Sequence, residues 1–194
     1  MTWEADTVYL KGLDLFSSVV DKFPPDRWGA ASPCAGWEAL DIVGHVGLAT
    51  WYGIELLAGR APEWKLLERP GDAVEGDPTA WWAGLASKAR ELTVAVDLSI
   101  ELDTATGRRS IRDGLNFPAL DLFIHAWDLG RCAGIDVEIP PEVVEFAHSV
   151  LSAVPDEQLR SNRVFAPAVA LPERATPTEE FLAWTGREPR WAPI

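Results

Sequence analysis

The sequence predicts an all-α protein, a four-helix bundle with one short extra helix and a loop-rich carboxy-terminal tail. Two observations predict it. Apolar residues recur at the 3-4 spacing of a helix stripe in successive segments, and prolines, glycines or cap residues bound each one. Only one short stretch alternates like a strand. Amphipathic helices without a convincing sheet must bury their stripes against one another.

In the first helix Tyr9, Leu13, Phe16, Val20 and Phe23 draw a single stripe, and Pro24-Pro25 stops it. A turn-rich link carries Ser32-Pro33-Cys34-Ala35-Gly36-Trp37. The second helix runs from about Glu38 to Leu57, with Glu38 and Asp41 in its first turn and Gly59 as its stop. Residues 60–76 read as a long surface loop. Asp77-Pro78 supplies an N-cap and a first-turn proline for the third helix, whose stripe is Trp82, Leu85, Ala89, Leu92 and Val96. From Leu98 to Arg112 the pattern alternates, and Thr106-Gly107 reads as a turn, so a short extended excursion is expected. The fourth helix starts near Asn116 and Pro118, carries Phe117, Leu120, Ile124 and Trp127, and ends at Gly134. A fifth opens at Pro140-Pro141 with Val143, Ala147, Val150 and Val154. Beyond residue 163 only Thr176-Pro177-Thr178-Glu179, a capping box, announces a short helix.

With 194 residues the chain suits one domain, the bundle over about 1–155 and the tail over about 156–194. A net charge of −13 argues against nucleic acid and against an anionic membrane as partners. Two cysteines make no disulfide framework, and no segment reads as a signal peptide or membrane span. A cytoplasmic location is therefore expected, and a homodimer is compatible with the sequence. Ten tryptophans stand against two tyrosines. Most should be core, while Trp37, Trp51 and Trp127 are candidates to wall a pocket.

Chemistry-bearing residues are few. Asp121 and His125 sit at i and i+4 on one helix face, where they can converge on one ion. Imidazole with carboxylate suits zinc, iron or nickel better than calcium. His45 lies in the apolar Val43-Gly44-His45-Val46-Gly47 and needs a partner for each ring nitrogen; a metal or a core hydrogen bond would serve. Asp41 and Asp128 are candidates to support the ligands from behind. His148 reads as structural. Cys132 shares the Asp121 face but lies about 10 Å beyond His125, too far to join one ion. Cys34 is a candidate reactive thiol with no nearer base in sequence than Arg27. Arg108, Arg109 and Arg112 form a basic cluster, either a solvated hairpin tip or a carboxylate-binding patch.

Several of these stretches match a known pattern. The Ser32–Trp37 segment with His45 eight residues after the Trp, and Leu120-Asp121-Leu122-Phe123-Ile124-His125-Ala126-Trp127-Asp128-Leu129, resemble DinB/YfiT-like proteins. More narrowly they resemble the actinobacterial branch named for mycothiol-dependent maleylpyruvate isomerase. Phe165 to Val169 and Thr185-Gly186-Arg187-Glu188-Pro189 are similar to that branch's usual close.

The resemblance implies a DinB-like four-helix bundle with an open metal site, usually zinc, held here by His45, Asp121 and His125. It also implies a low-molecular-weight thiol, mycothiol, as co-substrate and a small electrophile as substrate, in thiol transfer or thiol-assisted isomerisation. A non-catalytic metal-containing binding or sensing protein is the alternative. Two departures bear on the reaction: the isomerase often has Glu where Asp121 stands, and it carries a second domain for which this chain is too short.

Overall fold

The computed structural model describes residues 3–61, 63, 67–104, 107–161, 164–171 and 173–192. Its main helices are α1 (Ala5–Val20), α2 (Ala39–Leu57) and α3 (Pro78–Ala95), followed by the hairpin β1 (Glu101–Thr104) and β2 (Gly107–Ser110). Then come the single turn α4 (Ile111–Gly114), the long α5 (Asn116–Ala133), α6 (Pro141–Leu151), α7 (Asp156–Ser161) and α8 (Pro177–Trp184). Four of these make the bundle. α1 packs on α3 and α5, and α2 packs on the same two, so the ring closes in the order α1–α5–α2–α3.

The stripes face the core as expected. Tyr9, Leu13, Phe16 and Val20 of α1 are buried. α1 itself ends at Val20, and Phe23 joins the core from the following turn, stacked on Trp28 at 4.3 Å. Asp77 caps α3 by accepting from the Ala80 N–H at 2.8 Å. Gly59 and Gly134, the expected stops of α2 and α5, take positive φ values of 76° and 73°. The alternating stretch is the antiparallel β1–β2 hairpin, with Leu102 opposite Arg109. Thr106 of its turn lies outside the described residues.

Three sequence expectations need correction. The 60–76 segment is not all surface: Pro70–Ala73 forms a 3-10 turn whose Pro70 and Gly71 are buried against α2. Phe117 belongs to the α5 stripe by spacing yet stays 37% exposed, because it lines a cleft instead of joining the core. The tail holds an unforeseen helix, α7, and it packs on the bundle. Phe181, Leu182 and Ala183 of α8 are buried, and Arg131 of α5 donates from Nε to the Trp191 carbonyl at 2.9 Å. The basic cluster is used within the chain. Arg108 pairs with Glu101 at 2.7 Å, and Arg112 ties Glu4 and Asp6 at the start of α1. No helix among the described residues is long and apolar enough to cross a membrane.

Gly44 shows why α2 tolerates glycine beside His45. A Cβ there would lie 2.1 Å from the Pro70 carbonyl oxygen, so the 70–73 turn can sit on α2 only while position 44 has no side chain. Gly44→Ala is expected to destabilise the protein by about 1–3 kcal/mol despite alanine's better helix propensity. Urea unfolding of the variant checks this; an unchanged or raised midpoint would contradict the packing.

Candidate metal centre

One face of α5 carries the chemistry. Asp121, His125 and Asp128 are spaced at i, i+4 and i+7, nearly in line along the axis. α2 brings His45 to the same place from across the bundle. His45 Nε2 stands 3.3 Å from Asp121 Oδ2, and the His45 and His125 rings meet edge to face at 4.8 Å. Ligand atoms of His45, Asp121 and His125 all lie within 4.8 Å of one another. The three residues singled out from the sequence are therefore brought together.

Trp37 closes one side, its ring 5.1 Å from that of His45 and 6.1 Å from that of His125. The loop holding it is pinned by short backbone links, Ser32 N–H to the Trp37 carbonyl and Trp37 N–H to the Cys34 carbonyl. Trp51 and Trp127 do not wall the site. Trp51 is on the exposed side of α2, and Trp127 is buried beneath the Arg131 guanidinium at 5.5 Å.

Behind His125 lies a buried ionic cluster. Asp128 is 0% exposed, and its Oδ2 lies 2.9 Å from His125 Nδ1. At this distance the Asp128 carboxylate faces the Nδ1 edge of the ring and orients it. With Nδ1 turned to Asp128, Nε2 is the nitrogen left for a metal. Arg187, from the tail, donates to Asp128 with Nε at 3.0 Å and Nη2 at 2.8 Å. Cys34 Sγ approaches the same carboxylate at 3.3 Å.

The ionisation states follow from these contacts. Burial alone would raise the Asp121 pKa, but the His45 hydrogen bond and the charges of His45, His125 and Arg187 hold it below the usual range. Burial pushes the His125 pKa down against the pull of Asp128, favouring the neutral ring that metals require. For Asp128 the desolvation is outweighed by the Arg187 charge, so it stays ionised. Burial, with Asp128 beside it, pushes the Cys34 thiol well up, despite Arg187. Cys34 is therefore a thiol at neutral pH, not the reactive thiolate the sequence allowed.

A second donor trio, Cys34, His125 and Asp128, also lies within 4.8 Å. The Arg187 guanidinium already occupies that position and repels a second cation, so the trio around His45 fits a metal better. Asp41 does not orient His45 as its spacing suggested. Its Oδ2 accepts from Glu38 N–H at 3.0 Å and its Oδ1 from Gly71 N–H at 2.9 Å, which caps α2 and clasps the 70–73 turn. His148 is exposed on α6 near Trp184 and away from the centre. Cys132 is buried and donates to the Asp128 carbonyl.

The centre opens into a cleft of about 530 Å³. Trp37, Cys34 and the two histidines line it, together with Phe165 and Thr185–Arg187 of the tail. Arg187 is the functional residue that helix periodicity missed. It lies far along the chain from α5, in a segment without a stripe, and only the Thr185–Pro189 resemblance marked it.

No family model matches the sequence. The chain is 24% identical over 181 residues to an uncharacterised protein found in two strains of Mycobacterium tuberculosis, covering 91% of this chain and 94% of that protein. Among solved structures it is similar to the mycothiol-dependent maleylpyruvate isomerase, with a TM-score of 0.58 and 20% identity over 73% of this chain. A histidine-to-alanine mutant of that isomerase gives a TM-score of 0.56 at 16% identity. Either match spans 65% of the isomerase chain, just under two thirds of its length. What this chain shares with these structures is the fold, the DinB-like helical bundle.

Proposed function

We propose that this protein is a divalent-metal-dependent enzyme, with zinc as the metal, that uses mycothiol to transfer a thiol to a small electrophile or to isomerise one. The observation that carries the reading is the convergence of His45, Asp121 and His125 in the lining of one cleft. Two imidazoles and one carboxylate are a common donor set for catalytic zinc, and three protein ligands leave a position open. Mycothiol enters from the isomerase whose fold the chain shares.

When bound, zinc supplies a Lewis acid that favours the thiolate form of a thiol held in the open position. The chain's own residues do the rest. Asp128 fixes the His125 ring and its tautomer. Arg187 in turn holds Asp128 ionised. Trp37 covers both histidines and keeps water from that side.

Elemental analysis of protein purified without chelators is expected to give close to one divalent metal per chain. The cobalt-substituted protein should gain thiolate-to-metal absorption on adding mycothiol. A protein that arrives metal-free and takes up neither zinc, iron nor nickel would overturn the reading. Metal without any spectral response to millimolar mycothiol would overturn the thiol part alone.

A further inference from the structure

The parts of the tail that line the cleft are fastened into one body. Val164, Phe165 and Ala166 come from one stretch, and Thr185, Gly186 and Arg187 from another. Arg160 joins the two, donating from Nη1 to the carbonyls of Ala166 and Trp184. Val169 N–H donates to the Ala183 carbonyl at 3.0 Å. Gly186 lies so close to Ala166 that a Cβ on it would stand 2.6 Å from the Ala166 Cβ.

Arginines carry the contact of this body with α5. Arg131 of α5 holds the Trp191 carbonyl, and Arg187 reaches Asp128 with both Nε and Nη2. The second tie is the stronger, a two-point charge-assisted contact between a guanidinium 12% exposed and a fully buried carboxylate. Asp128 also stands 2.9 Å from His125 Nδ1. One carboxylate therefore serves the tail on one side and a candidate metal ligand on the other.

That sharing couples the two. Metal at His125 Nε2 requires the hydrogen of the neutral ring on Nδ1, where it points to Asp128. Without metal the hydrogen can sit on either nitrogen, and on Nε2 it leaves the Nδ1 lone pair facing the carboxylate. The carboxylate is then less firmly placed, and a two-point contact with Arg187 depends on its placement. We propose that Arg187 is a positioning residue for the metal centre, acting through Asp128, and that metal loading and seating of the tail are one linked event. The proposal rests on the metal reading above and adds a tail whose docking follows metal occupancy. Linkage is reciprocal, so a seated tail tightens the metal by the factor with which the metal seats the tail.

Hydrogen exchange of the full chain, zinc-loaded and chelated, reads the linkage. Zinc is expected to slow exchange about tenfold over residues 164–171 and 185–192. α3, which packs on α1 and α2 across the ring from α5, should exchange alike in both forms. Arg187→Met should raise exchange of the loaded tail to the chelated rate and weaken zinc about tenfold. Arg187→Lys keeps a charge beside Asp128 and should recover part of that affinity. A side chain that only filled space would leave zinc affinity the same in all three chains. Zinc bound with no change in tail exchange overturns the proposal while the metal reading stands. So does full zinc affinity in a folded Arg187→Met. A chain that takes up no zinc overturns both, and elemental analysis tells that case from the others. The native comparison needs no variant, so it decides even where Arg187→Met does not fold.

Discussion

Asp128→Ala is expected to destabilise the fold by about 3–5 kcal/mol, the largest loss any single polar substitution here should produce. Asp128 is fully buried, and its carboxylate is the counter-charge for Arg187, which is only 12% exposed. Removing the carboxylate strands a guanidinium, and burial opposes its charge. The loss should show as a lower urea midpoint with little change in slope. A double variant, Asp128→Leu with Arg187→Met, removes both charges and should recover most of that stability, since apolar pairs of similar volume often replace buried ion pairs without penalty. The same double variant should still bind metal about tenfold to a hundredfold more weakly, because His125 has lost the group that orients it. Stability and metal affinity therefore part company. If the double variant stays as unstable as Asp128→Ala, the ion pair is not the reason for the loss.

The bundle was legible because its physics is local. The stripe of α1, the Asp77 cap of α3 and the Thr176–Glu179 box of α8 each follow from residues within one or two turns. His125 and Asp121 were legible for the same reason, sharing one face of one helix. His45 was not tied to them by any local rule; the family pattern supplied the link, and the ring of helices supplies the contact.

What escaped the sequence was non-local or depended on which neighbour competes for a group. Asp41 and Asp121 each stand four residues before a histidine, so spacing treats them alike. Tertiary context separates them: the Gly71 N–H, arriving from a loop, claims Asp41. Arg187 stands 59 positions after Asp128, and no periodicity can announce that contact. Phe117 fits the α5 stripe, yet a stripe says only that a face is apolar, not that a partner covers every turn of it.

The two aspartates give the second large effect. Asp121→Ala is expected to lower zinc affinity by more than about a hundredfold, beyond what loss of a supporting group produces. Asp121 Oδ2 lies 3.3 Å from His45 Nε2, and both belong to the converging trio with His125. A zinc ion left with two imidazoles has lost a third of its protein ligands and the one negative charge among them. Asp41→Ala should leave zinc affinity within a few-fold. It should instead destabilise the protein by about 1–2 kcal/mol, since Asp41 caps α2 at Glu38 and anchors Gly71. His148→Ala, on the exposed side of α6, should change neither quantity. Asp121→His should keep the metal, because imidazole is an acceptable zinc ligand. Competition with a chromophoric chelator gives the affinities and urea unfolding gives the stabilities. Zinc retained at full affinity by Asp121→Ala, and lost by Asp41→Ala, would reverse the ligand assignment.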